Sequence, residues 1–176
     1  SMKSTKNLLG RSAFDLSETK YFESVSVKDI ASHAQVERQT FYYYFSDKYQ
    51  CLSFYLQQWG TLLAERDGST NLQQHLLNLL DVIRKHKEAI IHITYGDQGY
   101  SLLSAFLDTA LNQFILQSEG KKATDQLDKG AQFFAYGIRG IIIEWIKKGM
   151  DDDPSTLLAK TLPSSTESVD RLFSEV

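Results

Sequence analysis

The sequence predicts an all-α protein with short helices up to about residue 46 and longer ones after it. Three observations carry this. Apolar residues recur at spacings of three and four almost throughout the chain. Two prolines and ten glycines in 176 residues are too few for a many-turned sandwich or barrel. No segment reads as a convincing alternating strand. With 42% hydrophobic and 23% charged residues, the composition is that of a globular chain and excludes low-complexity readings.

Each element follows from its local pattern. Leu8, Leu9, Ala13, Phe14 and Leu16 outline a first amphipathic helix over about 4–20. Ser26, with Asp29 three residues on, starts a short second helix whose Val27, Ile30 and Ala31 face inward. A third short helix covers about 37–45. Asp47 opens a fourth, in which Leu52, Tyr55, Leu56, Trp59 and Leu63 recur at helical spacing. The run Asp67-Gly-Ser-Thr-Asn71 is a linker and cap for a helix over about 72–85. A shorter helix over about 87–95 is broken by Gly96-Asp-Gln-Gly99. Helices over about 100–118 and 124–149 follow, the second ended by Gly149. Pro154 begins a last segment, kinked or divided at Pro163.

Charge and cysteine content narrow the class. Residues 1–50 hold seven Lys/Arg and six Asp/Glu, whereas residues 51–176 sum to −4 within a total of −3. Lys3, Lys6 and Arg11 precede the first acid, Asp15, a basic arm that suits either a polyanion or plain solvation. Cys51 is the only cysteine, which rules out an internal disulfide and fits a cytoplasmic location; it reads as a small core residue. The strongest apolar run, at Gly140-Ile-Ile-Ile, is cut by Glu144 and falls far short of the ~20 residues of a bilayer span, so no membrane partner is expected. His75, His86 and His92 lack a carboxylate in ligand register, so neither a metal nor another cofactor is expected. His33, on the second helix, reads as a surface residue. No phosphate loop, nucleophile elbow or paired carboxylates point to an enzyme.

The informative stretch is 25–48. It reads as two short helices joined by a tight turn at Gln35-Val36, with Ala31 and Ala34 small where the helices approach. Phe41, Tyr44 and Phe45 share one face of the second helix, while Gln39, Tyr42 and Tyr43 share the other beside Arg38 and Thr40. A solvated helix would display Glu and Lys. A face of Gln, Tyr, Arg and Thr suits DNA, because Gln and Arg bond base edges and hydroxyls reach phosphates. Lys48, in the first turn of the next helix, adds a cation where free amides already favour a phosphate.

Ser26, Val27, Ile30, Ala31, Ala34, Val36, Thr40, Phe41, Tyr42, Tyr44, Phe45 and Lys48, with Ala13-Phe14 before them, make the segment resemble the DNA-binding region of the TetR family of bacterial transcription regulators. Arg38-Gln-Thr-Phe-Tyr and the stretch 133–150 also resemble a subgroup typified by the activator of the dihydroxyacetone kinase operon. The resemblance implies a three-helix helix-turn-helix DNA-binding domain over 1–46, followed by a larger helical dimerisation and regulatory domain over 47–176, in a homodimer on a palindromic double-stranded operator. Its expected DNA contacts are Ser26, Lys28, Arg38, Gln39, Thr40, Tyr42, Tyr43 and Lys48, with Thr40, Tyr42 and Lys48 on phosphates and Arg38, Gln39 and Tyr43 on bases. Control by a small-molecule inducer or by a coactivator protein is implied as well. The alternative function is a protein-interaction coactivator that binds DNA weakly or not alone.

Three positions depart from the family pattern. Gln35 stands where the turn usually has Gly, so either it is left-handed without glycine or the turn differs. Glu37 replaces the usual capping Ser and sets an anion beside the DNA face. Gln39 replaces another Gly with a side chain that reads bases.

In the C-terminal part, Phe133, Phe134, Ile138, Ile141, Ile142 and Trp145 cover more than one face of the long helix, with Gly130, Gly137 and Gly140 among them. They are the expected dimer interface, against the alternative of a buried central helix. His92, Tyr95, Tyr100 and Tyr136 offer polar tips among apolar neighbours, the composition of a ligand pocket or simply of core aromatics.

Overall fold

The computed structural model describes residues 2–68 and 71–162, and among them it forms nine α-helices, one 3-10 turn and no strand. The order is α1 (Met2–Leu16), the 3-10 turn Phe22–Ser24, α2 (Val27–His33), α3 (Arg38–Tyr44) and α4 (Lys48–Arg66). It continues with α5 (Leu72–Lys85), α6 (Lys87–Thr94), α7 (Asp97–Ser118), α8 (Lys129–Lys147) and α9 (Pro154–Thr161). The division expected at Pro163 lies outside the described residues.

Capping explains where the elements begin. Ser26 and Asp29 form a reciprocal capping box: the Asp29 amide donates to Ser26 Oγ at 3.0 Å and the Ser26 amide to Asp29 Oδ2 at 2.9 Å. That amide, and then Lys20 at 3.0 Å, hold the Asp29 carboxyl down at a pKa of about 2. Asp47, Asn71, Asp128 and Asp153 cap α4, α5, α8 and α9 through side-chain oxygens. The Asp128 cap starts α8 five residues later than the apolar pattern suggested, and the polar stretch 121–127 forms a loop anchored by buried Leu127. α1 ends four residues early, where the Ser17 amide bonds Phe14 O and its hydroxyl bonds Ala13 O.

The break expected at 96–99 is a corner instead. Gly96, at φ 118°, turns the chain and α7 begins at Asp97. Gly99 then lies so close to the Ile93 carbonyl that a Cβ would collide with it.

α4 is the spine. It packs on α1, where Gly10 lets the backbones meet (a Cβ there would stand 2.8 Å from Tyr55 Cβ), and along α7, where Trp59 stacks on Phe106 at 5.0 Å. One apolar core runs from Phe14, Phe41 and Leu52 through Leu80 and Ile90 to Ile142 and Leu158. Arg139 grips both carboxylate oxygens of Asp108 at 2.9 and 2.7 Å, clamping α8 to α7.

Three helices end in the same double hydrogen bond around a left-handed residue. α7 closes on Gly120 and α8 on Gly149. α2 closes on Gln35 at φ 58°, with its amide on Ser32 O at 3.1 Å and the Val36 amide on Ala31 O at 3.0 Å. The conventional helix-turn-helix bend is therefore kept without glycine, at the strain a side chain meets in that conformation. Gln35→Gly should raise the unfolding free energy by about 1 kcal/mol with the fold unchanged, measured by urea denaturation.

Candidate nucleic-acid interface

The rotation of α3 is set by its apolar side. Phe41 and Phe45 are buried, and Phe45 packs on Phe54 of α4 with ring centres 5.6 Å apart. The opposite side is free: Arg38, Gln39, Tyr42 and Tyr43 are exposed, Tyr43 at 71%. Thr40 is half-buried at the edge. Arg38 lies over the Tyr42 ring at 5.8 Å, which keeps its guanidinium on this face. Ser26 and Lys28 are exposed at the start of α2. Ser26 Oγ accepts the capping bond, which leaves its O–H for an external acceptor. Seven of the eight sequence-predicted contacts therefore present a side chain outward or at the rim.

Lys48 is different. Its ammonium donates to the carbonyls of Phe22, Glu23 and Val25 at 3.0, 2.8 and 2.8 Å, and lies over the Phe22 and Tyr49 rings. Three donors meet three carbonyls, so the ammonium forms an internal staple between the start of α4 and the entry to α2. Burial pulls its pKa below the ordinary lysine value, against the pull of Glu23 and Asp29. The partners lie more than twenty residues upstream, which spacing along one helix does not reveal.

Glu37 precedes α3 with no side-chain capping bond. Its carboxylate faces the dipole of a short helix and adds negative charge next to the exposed Arg38 and Gln39.

The C-terminal candidates divide. Ile138, Ile142 and Trp145 are buried in the subunit's own core, and Trp145 Nε1 donates to Asp152 O at 2.8 Å. That corrects their reading as free interface residues: the side of α8 they occupy already packs on the rest of the subunit. Phe133, Phe134 and Ile141 are exposed, Phe133 at 80%, and Cβ atoms at Gly137 and Gly140 would meet nothing within 4 Å. Gly130 lies beside the Asp128 cap.

The four polar aromatics proposed to line one pocket do not converge. His92 Nδ1 and Ser17 O stand 2.6 Å apart, and Tyr95 stacks on Tyr21 at 4.4 Å, both at the junction of α6 with the N-terminal helices. Tyr100 packs under Lys147, and Tyr136 under Arg139 on α8. Sequence reasoning missed Tyr21, which joins His92 and Tyr95 at that junction. No group of three or more potential metal ligands occurs among the described residues, and no described helix is long and apolar enough to cross a membrane.

A short helix with an outward polar-aromatic face, held by a tight turn on a helical body, defines a DNA-binding regulator of the helix-turn-helix class. The family model for bacterial regulatory proteins of the tetR family matches residues 11–53, and that for a transcriptional regulator C-terminal region matches residues 70–163. The chain belongs to the TetR family of transcription regulators. In fold it resembles the dihydroxyacetone kinase operon activator DhaS, with 23% identity, a TM-score of 0.63, and coverage of 98% of this chain and 96% of that one. It also resembles a tetR-family transcriptional regulator from Streptomyces coelicolor, with 18% identity, a TM-score of 0.54, and coverage of 97% and 100%. No curated protein sequence matches the chain.

Lys48→Met should lower the unfolding free energy by about 2 kcal/mol, because three carbonyls lose a charged donor. A residue that served only phosphates would leave the melting temperature unchanged on the same substitution, so calorimetry without DNA separates the two roles.

Proposed function

We propose that the chain acts as a homodimer that places α3 of each subunit in successive major grooves of a palindromic operator, under the control of an effector sensed by the C-terminal helices. The observation that carries the DNA reading is the outward face of α3, with Gln39 and Tyr43 exposed directly opposite buried Phe41. Gln39 has the two donors and two acceptors to bond an adenine edge. Arg38 and Tyr43 flank it for base contacts, and Thr40, Tyr42, Ser26 and Lys28 offer hydroxyls and a cation for phosphates, a role that their exposed or rim positions support. Lys48 contributes by holding the start of α2 in place, and through its charge.

The dimer reading rests on the exposed side of α8. Phe133, Phe134 and Ile141 with Gly137 and Gly140 form an apolar strip whose glycines allow another backbone to approach. Two-fold pairing there would set two α3 helices on half-sites about 34–36 Å apart. The alternative, a coactivator with little DNA binding of its own, is favoured by Glu37 beside the reading face.

Fluorescence anisotropy with the chain's own upstream DNA tests the DNA reading. Specific, salt-sensitive binding is the expected result, and no preference over random duplex would favour the coactivator. Gln39→Ala should cost about 1–3 kcal/mol at one operator position and relax the base preference there. Phe133→Glu should convert a dimer to a monomer in light scattering and lower operator affinity together with it. A wild-type chain that is already monomeric would overturn the dimer reading.

A further inference from the structure

The chain leaves α9 at the wall of a groove. Ile141 and Trp145 of α8 and Leu157 and Thr161 of α9 line it, and its volume is about 510 Å³. Trp145 and Leu157 are buried, whereas Ile141 is exposed. Phe134 stands seven residues before Ile141, hence on the same side of α8, and is exposed as well, with Gly137 between them. A Cβ at Gly137 would meet nothing within 4 Å. An apolar track thus runs from the groove back along α8. Thr161 is the last residue of α9, so the backbone emerges beside this track.

Residues 163–176 follow, outside the described residues, and their sequence has the pattern of a helix with one apolar side. Pro163 separates them from α9. Ser164-Ser-Thr-Glu167 has the spacing of a capping box. Val169, Leu172, Phe173 and Val176 then recur at three and four, and Glu167 precedes Arg171 by four on the polar side. A helix this short is marginal in water by itself, so its apolar stripe needs a surface to cover. The groove where α9 ends is the first such surface within reach.

We propose that residues 164–176 form a helix that docks on their own subunit, with Leu172 and Phe173 in the groove between α8 and α9 and the rest of the stripe along Ile141. At about 30 Å³ per water-sized group the groove has room for about 17 heavy atoms, enough for both side chains. The tether decides between the subunit and a second copy. A connection of a few residues holds the segment at an effective concentration of the order of millimolar, far above that of a free partner. Phe133, about 100° round α8 from Phe134, stays available for the pairing proposed above, on which this inference does not rest.

Hydrogen exchange on the full chain tests the docking without any variant. The amides of 167–176 should exchange about tenfold more slowly than in a free peptide of the same sequence, at low and high protein concentration alike. Phe173→Asp should return them to the peptide's rate and lower the melting temperature by about 3 °C. A spin label on Ser174→Cys is selective because Cys51 is buried and its thiol pKa is pushed up to about 12. It should broaden the Ile141 methyl resonances of its own chain and leave those of unlabelled chains in a mixed sample sharp. Exchange at the peptide's rate, or a melting temperature that Phe173→Asp does not move, overturns the docking. Protection that grows with concentration, or broadening in the mixed sample, overturns the seat on the same subunit in favour of a second copy. A chain that is monomeric throughout and shows the expected protection sustains this docking and overturns only the pairing.

Discussion

The burial of Phe41 and Phe45 is the constraint on which the rest depends. A seven-residue helix has no stability of its own, because nucleation costs more than its few hydrogen bonds return. α3 exists because these two rings are buried in the core shared with α1 and α4, and that anchoring fixes its rotation. Gln39, Tyr42 and Tyr43 then point outward as a consequence of helical geometry. Everything that tightens the seat of the two rings sharpens the reading face. The left-handed turn at Gln35 sets the angle at which α3 leaves α2. The Lys48 staple ties the start of α4 to the entry of α2, so the two helices that frame α3 do not drift apart.

The same core continues into the C-terminal part, which makes α4 a mechanical link rather than a tether. Phe14 of α1 touches Tyr55 and Trp59 of α4 and His86 beyond α5, and Trp59 stacks on Phe106 of α7. A second connection runs through α6, where His92 meets the Ser17 carbonyl and Tyr95 stacks on Tyr21. Packed aromatic contacts of this kind transmit displacement because a close-packed interior does not deform continuously. Asp67 and His75 lie at the far end of α4 from Lys48, so the one helix runs from the N-terminal three-helix unit to the start of α5.

Legibility in the sequence tracked locality. The capping box at Ser26 and Asp29, the turn at Gln35-Val36 and the two faces of α3 are set within a few residues, and the one-dimensional pattern carries them. The start of α8 is not legible from spacing, because Ala123 and Leu127 stand four apart as on a helix face, while the Asp128 cap decides. For Lys48 the sequence shows its place in a first turn but not its three carbonyl partners, which lie more than twenty residues upstream. The Asp67–His75 pair joins the ends of two helices across a turn, with a stacking partner nearly forty residues downstream, so no period announces it. The four polar aromatics failed to converge for the same reason: composition suggests a pocket, but only the packing of α6, α7 and α8 says which side chains share a wall.

The apolar excess of α8 has a physical division. Ile138, Ile142 and Trp145 are buried in the subunit's core, and α8 packs on α7 and α6. Phe133, Gly137 and Gly140 fall along a line on the opposite side, flanked by Phe134, Tyr136 and Ile141, and the strip ends in Glu144, Lys147 and Lys148. A helix that served only its own subunit would carry charge along that entire line. Here charge is confined to Lys129 in the first turn and to the last turns, and the turns between hold glycine with large rings beside it. Glycine in a helix interior costs roughly 1 kcal/mol relative to alanine. Two of them stand where a Cβ would meet nothing within 4 Å, so nothing in the subunit's own packing calls for glycine there.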